Sequence, residues 1–284
     1  MTEADIKKKD WEDYIHHWKD LQHPIVPGKE SIERYEKLIK KHILKDAKDG
    51  SGKKILLLGP TWQIRDLLAK LKFHVTCVDI STSILEMHSK MCLVKERDEK
   101  LITADWLKFV PDEKFDAVIG DAANFQFKEE SYDTLFGNVK SWLKQGGISI
   151  QLMEGNYKNI EASTEKVLEF IKNATDEELE DYRIKAYYYL ANTAFINKDK
   201  FGNVVSLEKD ILPLIEKEDD SEELRRKFDI FSLHMNNFSA ALLPVEKIEA
   251  YLTKQFQIVE KIPYGPTTTE ECFYWLYVIK PMEE

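Results

Sequence analysis

The chain has 284 residues, 43% apolar and 32% charged, with 41 Lys and Arg against 51 Asp and Glu for a formal charge of −10. At about 150 residues per domain this is one large domain or two modest ones, with apolar content enough for a sizeable core. Net acidity disfavours a nucleic-acid partner, whose phosphates are met by cations, and no apolar run nears the roughly 18 residues of a membrane span.

Residues 1–50 read as an N-terminal helical cap. Trp11, Tyr14, Ile15 and Trp18 recur at helical spacing until His23-Pro24 and Val26-Pro27-Gly28 break the pattern. A second helix is predicted from Ser31, with Ile32, Tyr35, Leu38 and Ile39 on one face, and Gly50-Ser51-Gly52 reads as a hinge. Met1 to Lys7 lacks the apolar stretch of a leader, so a soluble, cytoplasmic protein is expected.

From Lys53 strand and helix alternate. Ile55-Leu56-Leu57-Leu58 is continuously apolar and ends at Gly59-Pro60, as suits a strand buried on both faces. Ile64, Leu67, Leu68 and Leu71 then repeat at helical spacing. His74 to Asp79 is a second strand, with Ile84, Leu85 and His88 beginning the next helix. Leu101 to Asp105 and Phe115 to Asp121 are the third and fourth strands. A helix through Leu135, Val139, Trp142 and Leu143 is expected to stop at a glycine cap, Gln145-Gly146-Gly147, before the strand Ile148 to Leu152. Repeated β-α units with short connections imply a parallel sheet covered on both faces.

Residues 154–243 are charged and helix-prone, and read as an insertion acting as a substrate lid. Residues 244–284 then complete the sheet with a helix over Val245 to Leu252 and strands at Phe256 to Ile262 and Cys272 to Lys280. Cys77, Cys92 and Cys272 form no C-x-x-C pair and the histidines no H-E-x-x-H motif. Buried reduced thiols and no metal site are therefore expected.

Gly59 lies where the first strand meets the first helix, the place at which open α/β sheets bind nucleotides. Asp79 ends the second strand twenty positions later, where a carboxylate accepts both ribose hydroxyls and repels a 2′-phosphate. An adenosine-containing ligand follows, either NAD or S-adenosylmethionine (SAM). A dinucleotide needs G-x-G-x-x-G so that backbone amides approach its diphosphate. Here Gly59-Pro60-Thr61-Trp62-Gln63-Ile64 removes an amide at Pro60 and fills space with Trp62. SAM, without phosphates, tolerates this loop better.

Lys53 to Leu152 resembles the core of the class I SAM-dependent methyltransferases. The likeness runs through Leu57-Leu58-Gly59, Val78-Asp79, Ala104-Asp105-Trp106, Phe115 to Asp121 and Leu143 to Gly147, and residues 244–280 resemble that family's closing hairpin. The resemblance implies an α/β, doubly wound, Rossmann-like fold whose seven-stranded sheet has its last strand antiparallel. It implies SAM as cofactor, with S-adenosylhomocysteine as product, and methyl transfer to a small-molecule acceptor. By the same resemblance Gly59, Pro60, Thr61 and Trp62 line the methionine portion, and Asp79 and Ile80 the ribose. Asp105 and Trp106 flank the adenine, while Asp121 faces the amino-acid end or the reacting methyl. Tyr14 and Trp18 are expected to cap the cofactor.

Asp121 and Asn124 are expected to orient the acceptor or the cofactor's amino group, and His234 to offer a base from the lid. The family's first-strand acid is Leu57 here, and its later loop glycines are Thr61 and Gln63. The alternative reading is a catalytically degenerate SAM-binding or scaffold protein on this fold. Aminopropyl transfer finds no glycine-rich run in its favour, and an RNA or protein methyltransferase no recognisable binding module.

Overall fold

The computed structural model describes residues 5, 8, 9, 12, 15, 18–158, 160, 163–196, 202–203, 207–232, 239–240 and 242–283. The apolar run after Lys53 becomes strand β1 (Lys54–Leu58), whose alternate side chains feed two different cores. Ile55 and Leu57 enter one cluster, with Tyr35, Leu38, Ile64 and Leu68 from helices α1 (Lys29–Ile39) and α2 (Trp62–Lys70). Leu56 and Leu58 enter the other, with Leu135 and Val139 behind them. A strand covered on both faces cannot alternate apolar with polar residues, which is why this run is unbroken.

Strands β2 (His74–Asp79), β3 (Glu99–Thr103), β4 (Phe115–Gly120) and β5 (Leu143–Glu154) pair in parallel around β1. Between them lie α3 (Thr82–Met91) and α4 (Tyr132–Trp142). Helices α5 (Thr164–Asn173), α6 (Asp176–Glu180) and α7 (Tyr182–Ile196) follow, then β6 (Gly202–Asn203), α8 (Leu207–Ile215), α9 (Ser221–Ser232) and β7 (Ser239–Ala240). Helix α10 (Val245–Thr253), strand β8 (Phe256–Pro263), helix α11 (Thr268–Phe273) and strand β9 (Tyr274–Pro281) close the chain. The seven-stranded sheet runs β3-β2-β1-β4-β5-β9-β8, with β9 antiparallel to both neighbours. This is the Rossmann-like arrangement the sequence implied. Among the described residues no helix is long and apolar enough to cross a membrane, and all three cysteines are free and buried.

Four local expectations are corrected. Helix α1 begins at Lys29 rather than Ser31, because extended Gly28 serves as its N-cap and leaves Ser31 buried in the first turn. Gly146-Gly147 does not cap α4. That helix ends at Trp142, where Leu143 turns extended, and the glycines lie in a bulge of β5. Pairing moves from Phe115↔Leu143 to Ala117↔Ile148, two positions along β4 against five along β5. The third strand spans Glu99–Thr103, so Asp105 lies two residues beyond it. The last strand starts at Tyr274 because Thr268–Phe273 is helical.

Helices α5 to α9 carry a core of their own, in which Val167, Ile171, Leu179, Ile211, Phe228 and Phe231 are buried together. They also meet helix α11, which leads into β9. The Thr269 hydroxyl donates to the Arg183 carbonyl at 3.3 Å, and Tyr187 packs on Phe273 with ring centres 6.1 Å apart. Tyr188 and Tyr189 turn instead to Phe170 and Phe231, so the three tyrosines divide between two cores.

Candidate cofactor and acceptor site

Gly59 follows β1 with φ of +87°, a region that side chains rarely adopt. Its N–H donates to the Val78 carbonyl at 3.0 Å, tying the loop to the end of β2. The same carbonyl accepts the Trp106 indole N–H at 2.9 Å. A Cβ on Gly59 would stand 4.0 Å from the Trp106 ring, so bare backbone faces an aromatic surface. Pro60 is buried, and Trp62, the first residue of α2, is half-buried.

Asp79 is buried at the carboxyl end of β2. Its Oδ1 accepts the Ser81 N–H at 2.8 Å, and the Ile80 amide also supports the charged form. Burial outweighs both and pushes the carboxyl up to about 7. Half-buried Ile80 leads into Ser81, whose hydroxyl caps α3 by accepting the Ile84 N–H. Glu12 accepts hydrogen bonds from Ser81 and Ser83 at 3.1 Å each, which brings the N-terminal segment onto the end of β2.

Trp18 is buried against helix α3. It packs edge-on against His88 of α3, ring centres 4.6 Å apart, in a cluster with Leu21 and Tyr182. The apolar surface offered jointly by α3 and the start of α7 claims this side chain, and burial pushes the His88 imidazole down to about 3, keeping it neutral. Tyr14 and His234 lie outside the described residues.

Asp105 turns back on its own loop, its Oδ1 accepting the Leu107 N–H at 2.9 Å. Trp106 leans on Phe127, with ring centres 5.9 Å apart. Trp106 follows β3 and reaches the β1 loop, because β2 alone separates the two strands.

Asp121 stands just past β4, beside the β1 loop. Its Oδ1 accepts the Tyr35 hydroxyl at 3.0 Å and its Oδ2 the Thr61 hydroxyl at 2.7 Å. Burial raises this carboxyl, and the two hydroxyls partly offset the rise. Tyr35 itself is held well above the ordinary phenol range by burial and by Asp121. Sequence reasoning placed Tyr35 only on an apolar helix face, whereas its hydroxyl reaches a carboxylate.

The structure gives Asn124 a different task from orienting an acceptor. Its Nδ2 donates to the Glu154 carbonyl at 2.7 Å and its Oδ1 accepts the Glu154 N–H at 2.9 Å. At 1% exposure, both ends of the amide are spent on locking the turn after β4 to the end of β5.

Four side chains at this edge carried no sequence signal as a group: His23, Ser31, Tyr264 and Glu270. His23 Nε2 is hydrogen-bonded to Glu270 Oε1, and its ring stacks on Tyr264 at 5.6 Å. Among the described residues no group of three or more His, Cys, Asp or Glu side chains is arranged to hold a metal ion.

No family model and no curated protein matches the sequence, whereas many solved structures match the fold. An N-methyltransferase, NodS, from Bradyrhizobium japonicum WM9 in complex with S-adenosylhomocysteine is 12% identical with a TM-score of 0.55, covering 98% of this chain and 99% of its own. A SAM-dependent methyltransferase from Clostridium acetobutylicum is 15% identical with a TM-score of 0.53, covering 95% and 98%. A provisionally named Zn-dependent alcohol dehydrogenase from Rhodobacter sphaeroides is 13% identical with a TM-score of 0.59, covering 98% and 99%.

Proposed function

We propose that this chain, which has the class I SAM-dependent methyltransferase fold, binds SAM at the carboxyl ends of β1 to β4 and methylates a small-molecule acceptor. One observation carries the reading. Asp79 is a buried carboxylate at the end of β2, met by backbone amides and, among the described residues, by no cation. It adjoins Gly59, whose left-handed backbone faces the Trp106 indole. A buried carboxyl raised to about 7 is costly to the fold, and a ligand diol donating two hydrogen bonds would repay it.

The residues present fit such a group. Gly59 offers bare backbone to the methionine portion, Asp79 accepts from the ribose, and Asp105 and Trp106 border the adenine side. Bound there, SAM supplies a methyl carried on a positively charged sulfur. The chain's own work is positioning and water exclusion. Asp121, fixed by Tyr35 and Thr61, sets the β1 loop against the β4 loop. Phe127 and Trp106 shield one side, and the helices from 154 to 243 are inferred to close the acceptor side as a lid.

The acidic balance favours an uncharged or cationic small acceptor over nucleic acid, and we place the activity in the cytoplasm. A second reading, a SAM-binding protein without turnover, draws on Thr61 and Gln63 standing where the family has glycines. Native mass spectrometry of the purified protein tests binding, since carried-over SAM or S-adenosylhomocysteine identifies the ligand by mass. Asp79→Ala should weaken SAM at least tenfold by titration calorimetry, and NAD should give no measurable heat. Equal affinity in the variant, or a micromolar NAD complex, defeats the reading.

A further inference from the structure

Asp105-Trp106-Leu107-Lys108 forms a tight turn two residues beyond β3. The Lys108 N–H donates to the Asp105 carbonyl at 2.9 Å, and the Leu107 N–H to Asp105 Oδ1 at 2.9 Å. An aspartate in first place thus closes the turn with both its main chain and its side chain. Among the described residues Asp105 Oδ2 meets the Lys108 ammonium alone, at 3.5 Å, and that lysine side chain is 79% exposed. So exposed a pair is weak, and Oδ2 stays available to a ligand.

Helix α4 braces this turn from behind. Asn138 and Trp142 lie four positions apart on one face of the helix, and both reach across to the segment after β3. The Asn138 amide carries two N–H bonds, and its Nδ2 donates to the Trp106 carbonyl at 3.0 Å and to the Leu107 carbonyl at 3.1 Å. Trp142 Nε1 donates to the Phe109 carbonyl at 3.2 Å. A trans peptide points its C=O and its N–H to opposite sides. The peptide that offers the Trp106 carbonyl to Asn138 therefore presents the Leu107 N–H to Asp105 Oδ1. The next peptide offers the Leu107 carbonyl to Asn138 and the Lys108 N–H to the Asp105 carbonyl. One side-chain amide fixes the two peptide planes whose far sides hold Asp105.

We propose that Asn138 is a positioning residue for base selectivity, which keeps Asp105 Oδ1 inside the turn and leaves Oδ2 to accept an amino group on the ligand's ring. This role rests on the methyltransferase reading, in which Asp105 and Trp106 border the adenine. A base with a carbonyl in place of the amino group sets an acceptor against a carboxylate. It is rejected only while that carboxylate cannot rotate away. Without Asn138 the turn keeps its two local hydrogen bonds, but its peptide planes lose their anchor and Asp105 can turn aside.

Titration calorimetry on the full chain tests this with two ligands, S-adenosylhomocysteine and its deaminated analogue S-inosylhomocysteine. Wild type should prefer the amino form by tenfold or more. In Asn138→Ala that preference should shrink at least threefold. In Asp105→Ala it should be near one, whether or not Asn138 is also replaced. Equal weakening of both ligands in Asn138→Ala, with the preference unchanged, would reveal a structural brace only and overturn the proposal. A wild-type preference near one would overturn it as well. Failure of wild type to bind S-adenosylhomocysteine at all would instead remove the methyltransferase reading.

Amide hydrogen exchange on the ligand-free protein supplies the second arm. The Leu107 and Lys108 amides should exchange at least tenfold faster in Asn138→Ala, while Val118 in β4 keeps its rate. Unchanged exchange at both positions would refute the link from Asn138 to Asp105. Asn138→Asp keeps the shape but sets an acceptor where the two donors stood, and it should reproduce both the faster exchange and the lost preference.

Discussion

Asp79 makes SAM affinity a function of pH in a calculable way. Its carboxyl stands at about 7 against an ordinary 3.8 because it is buried at the end of β2 with only amide donors. If the ribose hydroxyls need the ionised form, the competent fraction is about ten in eleven at pH 8 and one in eleven at pH 6. Affinity should therefore fall about tenfold between those values, or about 1.4 kcal/mol. Titration calorimetry at pH 6, 7 and 8 on wild type and Asp79→Asn reads the effect, and the variant's slope removes any titration of the ligand itself.

Stability carries the opposite sign. A carboxyl raised in the folded state contributes stability below its unfolded value, and that contribution is lost as pH rises through about 7. The ceiling is about 4 kcal/mol at pH 8, so ligand-free Asp79→Asn should melt higher than wild type at pH 8, keep under half of that advantage at pH 5 and lose it below about pH 4. Wild-type affinity constant within twofold from pH 6 to pH 8, or an Asp79→Asn slope equal to wild type's, would refute the reasoning.

Three further outcomes follow from the site. Gly59→Ala forces a side chain into φ of +87°, and should cost about 1–2 kcal/mol by urea titration together with much of the SAM affinity. Asn124→Ala strands the buried amide and carbonyl of Glu154, and should lower stability by about 2–4 kcal/mol as its primary effect. Its SAM affinity should stay within threefold, since the amide does not face the cofactor loop, and a selective loss of binding at normal stability would restore the orienting role. Thr61→Val leaves Asp121 one hydroxyl short, and should weaken SAM several-fold through the displaced β1 loop, with Thr61→Ser restoring affinity on calorimetry.

Much of the sheet was legible because buried parallel strands have a signature in the local chain. Ile55 to Leu58, Val75 to Val78 and Ala117 to Ile119 are short runs bounded by turn residues, and short helical crossovers leave few ways to order them. The positions of Gly59, Asp79 and Asp121 came with that order, since each ends or follows a strand and must emerge at the same edge.

Tertiary packing decided what the side chains at that edge do. Asn124 reads as a polar loop residue, and only the approach of β5 spends its amide on Glu154. Trp18 reads as a cap for the cofactor, and only the tertiary structure sets it against His88 and Tyr182. His23 and Glu270 are 247 residues apart. Periodicity reports which face of an element is buried, because that follows from neighbours three or four positions away. The partner a buried polar group finds depends on segments brought together from the two ends of the chain, and no local pattern encodes it.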